Sequence, residues 1–297
     1  MVGFVLAGAL LGLGASACWA LANVAVQRAG QAVGPYRALL WAQVVGVVFV
    51  AAFAIPVERP ALTLTPATLA WVAVAGLAAL VAYVCLFYAF AHGRLTLAVP
   101  IMSSWAVIAA GLSLVLFGER LSAGQLAGGA VVIAGAAVVS RYAPGAGSAP
   151  GGAVAARAPR APRWLLASFG AAVGFGVLIP AIRALGPAFG DVGSIAVVYL
   201  ADAILGLPLA LLFRVSLAPP AGRAWIPVLL AGLFETAGFA CIAVGGRLAP
   251  LALVSPLASL ASALTILAAW IFLGERPGRG VLVGAALVSA GVVALAL

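Results

Sequence analysis

Two acidic residues lie inside apolar stretches long enough to cross a membrane, where a carboxylate can do chemistry that a surface carboxylate does not. Asp202 lies within the stretch 191–213 and Glu235 within the stretch 224–245. A charged side chain at the centre of a bilayer costs about 2.5–3.5 kcal/mol or more unless it is paired, neutralised or hydrated. The functional interpretation is that one or both acids exchange a coupling proton or bind the ammonium group of a substrate. The alternative is a structural ion pair, or a neutral acid hydrogen-bonded between helices.

Other polar and aromatic side chains within apolar stretches extend this candidate site. Trp19 and Asn23 are one helical turn apart, and Trp105 follows Ser103 by two residues. We expect Trp105 to stack on a substrate, because a Trp far from the membrane interfaces is unusual. The predicted substrate-binding residues are Trp19, Asn23, Gln43, Tyr83, Ser103, Trp105, Tyr199, Asp202, Glu235, Ser255, Ser259 and Ser262.

Hydroxyl-bearing residues follow one face of the apolar stretch 250–273. Ser255, Ser259, Ser262 and Thr265 are spaced by four, three and three residues, which is the periodicity of a helix face. Such hydroxyls either line a polar path or bond to neighbouring helices. The pattern favours a cavity lining, with packing between helices as the alternative.

The elements that must position these residues are membrane-spanning helices. The 297-residue chain is 66% hydrophobic and 7% charged, with a mean hydropathy of +1.28, whereas soluble domains contain about 25% charged residues. Apolar stretches of helical length exclude the alternation of a β-barrel. The sequence predicts an all-α membrane protein with ten spans, at residues 3–27, 36–56, 67–90, 95–117, 122–140, 164–185, 191–213, 224–245, 250–273 and 279–297.

The charged residues indicate membrane orientation rather than a nucleic-acid surface. All fifteen basic residues are Arg, one or two in most loops and four in the stretch 141–163, and the net charge is +9. Loops after odd-numbered spans hold eleven Arg and the other side holds four, so the positive-inside rule predicts that the arginine-rich side is cytoplasmic and that both termini face outward. Three unpaired Cys and one His predict no disulfide, metal or cofactor.

The second half of the chain repeats the first. Residues 97–140 and 253–296 align without a gap at an offset of 156, with 13 of 44 positions identical. Pro100 aligns with Pro256 and Ser103 with Ser259; each Pro is either an ordinary first-turn residue or a hinge. Five spans per copy is an odd number, which predicts two inverted-topology five-helix repeats. The predicted domains are residues 1–140, a linker at 141–163, and residues 164–297.

Two equivalent turns, Gly118-Glu119-Arg120 and Gly274-Glu275-Arg276, each follow a span with an early Pro and precede a Gly-rich span. These paired turns resemble those of the drug/metabolite transporter superfamily, in its ten-helix EamA-like branch. The resemblance implies a central cavity lined by spans 1–4 and 6–9, with spans 5 and 10 at the periphery. It also implies export or import of small metabolites, and both termini in the cytoplasm, opposite to the arginine count.

These observations predict a secondary transporter in a bacterial inner membrane that acts by alternating access, possibly as a monomer among membrane lipids. Apolar and aromatic walls with two acids suit small neutral or zwitterionic molecules, with apolar or aromatic amino acids as the leading hypothesis. Outward movement of these substrates is what the resemblance implies. Drugs or nucleosides are the alternative substrates. A lipid-handling or scaffold protein and an intramembrane enzyme are the alternative classes. The enzyme class is disfavoured because Ala188-Phe189-Gly190-Asp191 lacks the first glycine of the aspartyl protease motif.

Overall fold

The computed structural model describes residues 2–57, 64–118, 122–142, 162–249, 254, 257–258 and 260–296, and it contains no strand within these ranges. Ser255, Pro256, Ser259 and the turn residue Glu119 lie outside the described residues. Apart from short turns and loops, the described part of the chain is therefore helical, as its composition predicts.

Eleven α-helices are described in full. They are α1 (Val2–Val33), α2 (Pro35–Val57), α3 (Pro66–His92), α4 (Leu95–Met102), α5 (Trp105–Phe117), α6 (Ala123–Arg141), α7 (Arg163–Phe189), α8 (Asp191–Leu212), α9 (Trp225–Leu248), α10 (Ala261–Leu273) and α11 (Arg279–Ala296). Eight segments are long and apolar enough to span a membrane, with α4 and α5 forming one of them, and α10 and α11 are shorter apolar helices. These ten segments correspond to the ten predicted spans.

The repeat keeps one register along the whole chain. Helices α5 and α10 begin and end 156 residues apart, and both end at a left-handed glycine, Gly118 with φ +65° and Gly274 with φ +69°. The turns after α1 and α7 are likewise made by glycines with a positive φ at the same offset, Gly34 with φ +86° and Gly190 with φ +73°. The sequence shows this offset only in residues 97–140, whereas the helix ends extend it to all five spans.

The packing of helices across the two halves has two-fold symmetry. Helix α1 packs on α9 as α7 packs on α3, and α2 packs on α9 as α8 packs on α3. Similarly, α1 packs on α10 as α7 packs on α5, while α6 and α11 pair with each other. Each contact thus has a counterpart with the halves exchanged. Since each half has five spans, the two repeats have inverted topology.

The fourth span is broken, although its apolar sequence reads as one continuous helix over 95–117. Pro100 is buried inside α4, where it cannot donate a backbone hydrogen bond. The helix ends at Met102, two residues later, and the amide of Ser104 then bonds to the carbonyl of Ile101 in a tighter 3₁₀-type turn. The hydroxyls of Ser103 and Ser104 donate to the carbonyls of Val99 and Ile101. The break is therefore at the serine pair, one turn beyond the predicted hinge residue Pro100.

Glycines bring α6 and α11 into backbone contact. A Cβ atom on Gly135 would lie 2.7 Å from both the carbonyl oxygen of Gly284 and the amide nitrogen of Val288. At the repeat-equivalent position, a Cβ on Gly291 would lie 2.6 Å from the carbonyl oxygen of Gly128. No larger residue fits at either position without moving a helix, so these glycines fix the crossing of the two helices.

Candidate functional site

A narrow cavity with a free volume of about 20 Å³, enough for about one water molecule, lies between the two repeats at the seam of α1, α2, α3, α8 and α9. Its walls are therefore nearly in contact, and a substrate fits only after they move apart. The walls are apolar and aromatic with a few polar groups, as is usual for small-molecule sites. The lining residues are Val26, Leu39, Ala42, Gln43, Gly46, Tyr83, Leu86, Phe87, Tyr199, Ala231, Gly232 and Glu235.

Glu235 is the acidic group on the cavity wall. It lies in the middle of α9, and its Oε1 accepts a 3.2 Å hydrogen bond from the hydroxyl of Tyr83 on α3. The ring of Tyr83 packs edge-to-face against Tyr199, with ring centroids 6.3 Å apart. The hydroxyl of Tyr199 is buried without a hydrogen bond of good geometry among the described residues. One carboxylate and two phenols from three helices thus meet at the cavity.

Asp202 lies behind the wall rather than on it. Its side chain is only 3% exposed, and its Oδ2 accepts a hydrogen bond of 2.6 Å from Nε2 of Gln43, which does line the cavity. The other oxygen, Oδ1, is buried without a partner in the described part of the chain. A buried carboxyl group with one hydrogen bond is costly and needs a reason. The two acids therefore occupy different surroundings.

Trp19 and Asn23 lie on α1 but do not line the cavity. The Trp19 ring packs edge-to-face on Phe239 at 5.3 Å, which is the repeat counterpart of the pair formed by Phe175 and Tyr83. Nδ2 of Asn23 donates a 3.0 Å hydrogen bond to Oγ1 of Thr265. Both residues join α1 to the second repeat, so their contacts here are between helices.

Ser103, Trp105 and Ser262 also lie away from the cavity lining. Ser103 bonds to its own helix at the break of the fourth span, and Trp105 begins α5, partly buried against the main apolar core. Ser262 is 5% exposed, and its hydroxyl has no partner among the described residues. Of the described predicted residues, the structure brings together Gln43, Tyr83, Tyr199, Asp202 and Glu235.

Several lining residues were not predicted. Leu39 and Gly46 accompany Gln43 on one face of α2, and Ala231 and Gly232 precede Glu235 on α9. Their spacing of three to four residues around a polar residue is the signal that would have found them, whereas Ala42, directly before Gln43, carries no such signal. Residues such as Val26 carry no such signal, because an apolar side chain facing a cavity has the same sequence pattern as one facing lipid.

The geometry defines a class of protein: a helical membrane protein of two inverted repeats with a mostly apolar cavity that carries a few polar groups at their seam, which is the architecture of secondary transporters. Within the described residues, no cluster of three His, Cys, Asp or Glu could hold a metal ion. The model of the EamA-like transporter family matches residues 6–141 and 162–297. The chain therefore belongs to the EamA-like transporter family.

Two further comparisons bear on the fold. A protein of known crystal structure is 22% identical, with a TM-score of 0.66 over 98% of this chain and 96% of that chain. At this identity the likeness shows a shared fold and nothing about substrate. No curated protein matches the sequence.

Proposed function

We propose that the protein moves small neutral or zwitterionic metabolites by alternating access, with outward transport of apolar and aromatic amino acids as the leading case. The observation that carries this proposal is Glu235, a carboxylate on the wall of a cavity between inverted repeats. A carboxylate can bind an ammonium group, while Tyr83, Tyr199 and Phe87 provide an aromatic wall for the apolar part. Resemblance to metabolite exporters favours the outward direction.

The proposed setting is a bacterial inner membrane, where the chain acts as a monomer in contact with lipid. Both repeats belong to one chain, and the cavity takes its lining from helices of each, so a second copy is not needed to complete it. The arginines are concentrated on one side of the membrane, and the positive-inside rule, which holds for inner-membrane proteins, assigns that side to the cytoplasm.

Flux from proteoliposomes loaded with labelled phenylalanine, leucine or tryptophan tests the proposed function. We expect saturable efflux that unlabelled substrate suppresses. Replacing Glu235→Gln removes the charge but keeps the shape. Since hydrogen bonds to charged groups contribute about 1.5–3 kcal/mol, the half-saturation concentration should rise about ten- to a hundredfold.

Ser168→Ala is the matched control, because this buried hydroxyl bonds only to the carbonyl of Trp164 in its own helix. It should leave the half-saturation concentration unchanged. Saturable flux of nucleosides or cationic dyes, with none of any amino acid, would overturn the amino acid assignment. An absence of flux for every class of solute would overturn the transport function.

A further inference from the structure

The cavity wall carries hydrogen-bond acceptors, and Asp202, which lies behind this wall, fixes the orientation of one of them. Oδ2 of Asp202 accepts a 2.6 Å hydrogen bond from Nε2 of Gln43, and in its ionised form this carboxyl group can only accept. It therefore holds the nitrogen of the amide toward itself and leaves the amide oxygen, on the other branch of the fork, available to accept. Together with the carboxylate of Glu235, this gives two acceptor groups on the lining.

Groups that would bind a ligand carboxylate are scarce in the same lining. None of the lining residues is Arg or His. The hydroxyl of Tyr83 is already donated to Glu235, which leaves the hydroxyl of Tyr199 as a neutral donor. A ligand carboxylate beside Glu235 would meet like charge without a compensating cation. The electrostatics thus favour one end of an amino acid and not the other.

We propose that the cavity recognises an ammonium group alone, and that Asp202 is the positioning residue that sets this specificity by orienting Gln43. The proposal rests on the transport function above and narrows its substrate class. The ligands are primary amines with an apolar or aromatic body, and an α-carboxylate is not required. The three ammonium hydrogens match the acceptors, and the aromatic side chains contact the apolar body.

Binding and flux of labelled phenethylamine and labelled phenylalanine are compared in the same proteoliposomes. This comparison distinguishes a failure of the ammonium proposal from a failure of the proposed transport function. We expect the amine to bind and move with a half-saturation concentration at or below that of phenylalanine, because it has no carboxylate to meet the charge of Glu235, and 3-phenylpropionate not to compete. If phenylalanine moves and the amine neither binds nor moves, the ammonium proposal is overturned and the transport function stands. If neither ligand binds or moves, both are overturned.

Asp202→Asn tests the positioning role. An amide can pair with the Gln43 amide in either orientation, so the fixed acceptor is lost. We expect the preference for phenethylamine over the uncharged phenethyl alcohol to fall about tenfold or more, as measured by competition. Gln43→Met, which removes the oriented amide while Asp202 remains, should give the same loss and provides a second route should Asp202→Asn fold poorly.

Ser194→Ala controls for general damage to α8, because its buried hydroxyl donates to the carbonyl of Gly190 in the preceding turn. A merely structural role for Asp202 would weaken binding of the amine and of the alcohol equally. Equal loss for both ligands in Asp202→Asn and in Gln43→Met would overturn the positioning role.

A second inference rests on Glu275, which ties the second repeat to the first. This turn residue follows α10, and its carboxylate accepts from the buried N-terminus of α4: the amide of Leu95 at 3.1 Å, and the amide and hydroxyl of Thr96 at 3.0 and 2.9 Å. Gln27 on α1 adds a longer bond of 3.4 Å. A carboxylate at a helix N-terminus is favourable because it meets unpaired amides and the positive end of the dipole.

Other bonds between the repeats lie on the same side of the membrane. Nη2 of Arg28 donates to the carbonyl of Phe272 at the end of α10. Arg37 donates to the carbonyls of Ala218 and Pro219 in the loop after α8. These segments adjoin the loops after spans 1, 3, 7 and 9, so they all face the arginine-rich side.

We infer that Glu275 is a latch that holds the arginine-rich side closed and must release α4 when that side opens. In alternating access one repeat rocks against the other, so bonds between repeats on one side break during each cycle. Hydrogen bonds to a carboxylate are stronger than neutral ones, so their loss shifts the balance between the two states.

Arg94 and Arg276 are both exposed beside the latch, so spin labels on cysteines at these two positions can report its opening. The three native cysteines, Cys18, Cys85 and Cys241, are first changed to Ala. In Glu275→Gln the amide nitrogen faces the donors of α4. We expect the ratio of long to short label distances to rise about tenfold, which corresponds to about 1.4 kcal/mol.

Ser122→Ala is the control, since Ser122 caps α6 within its own repeat and touches no inter-repeat contact of the latch. It should leave the distance distribution as in the parent. Unchanged distances in Glu275→Gln and in Glu275→Ala, with thermal unfolding like that of the parent, would overturn the latch.

Discussion

Leucine in place of Gly232 is expected to abolish transport. A Cβ atom at this position would lie 2.5 Å from the carbonyl oxygen of Ala42 and 2.8 Å from Cβ of Val45 on α2. Overpacking costs about 1–3 kcal/mol, and it costs more where the opposing atom belongs to the backbone and cannot rotate away. Gly232 lines the cavity one turn before Glu235. The larger side chain therefore pushes α9 away from α2 at the proposed ligand site and separates the two walls of that site.

Initial rates of substrate flux, normalised to folded protein, measure this effect. We expect at least a tenfold fall, equivalent to about 1.4 kcal/mol. The matched control is Gly206→Leu on α8, where the nearest atom to a new Cβ is the end of the flexible Leu80 side chain at 3.3 Å. A Gly232→Leu protein with parental flux would show that α2 and α9 do not form the wall described here.

Leucine in place of Gly135 is expected to separate α6 from α11. The new side chain would meet backbone atoms of Gly284 and Val288, and in a crossing of two helices no side chain can rotate aside to relieve the clash. Apparent thermal unfolding should fall by several degrees, because about 1–3 kcal/mol of overpacking is large beside a total stability of 5–15 kcal/mol. Gly291→Leu should fall equally, because it occupies the equivalent position.

Thermal unfolding in detergent, followed by the exposure of apolar surface, measures both variants. Gly111→Leu is the control, since a new Cβ there meets nothing within 4 Å. The cavity takes no lining residue from α6 or α11, so ligand affinity of the folded fraction should stay at the parental value. Stabilities of Gly135→Leu and Gly111→Leu that agree within error would contradict the described crossing.

The sequence was sufficient to predict the helical membrane fold because turn residues mark the ends of its apolar stretches. The glycine turns at Gly118 and Gly274, for example, end α5 and α10 as the repeat predicts. It did not predict that the fourth span divides between Ser103 and Ser104. Serine side chains can bond either to their own backbone or to a neighbour, and the apolar pattern is the same in both cases.

The candidate site was predictable in part. Buried acids in apolar spans were conspicuous, and Glu235 and Asp202 both lie at the seam of the repeats. Their partners were not predictable as pairs: Gln43 and Asp202 are 159 residues apart, and helical periodicity places a residue on a face without saying which helix lies opposite. The same gap explains Asn23, a predicted cavity residue whose amide instead meets Thr265.

The constant register between the repeats shows that the two copies differ in charge at equivalent positions. Glu235 and Asp202 of the second half stand where the first half has Ala79 and Gly46. A homodimer of second halves would bring four acids to one seam, and a homodimer of first halves would bring none. Because one chain carries two unequal copies, only one copy supplies the acids, and this inequality gives the seam a direction that no symmetric dimer could have.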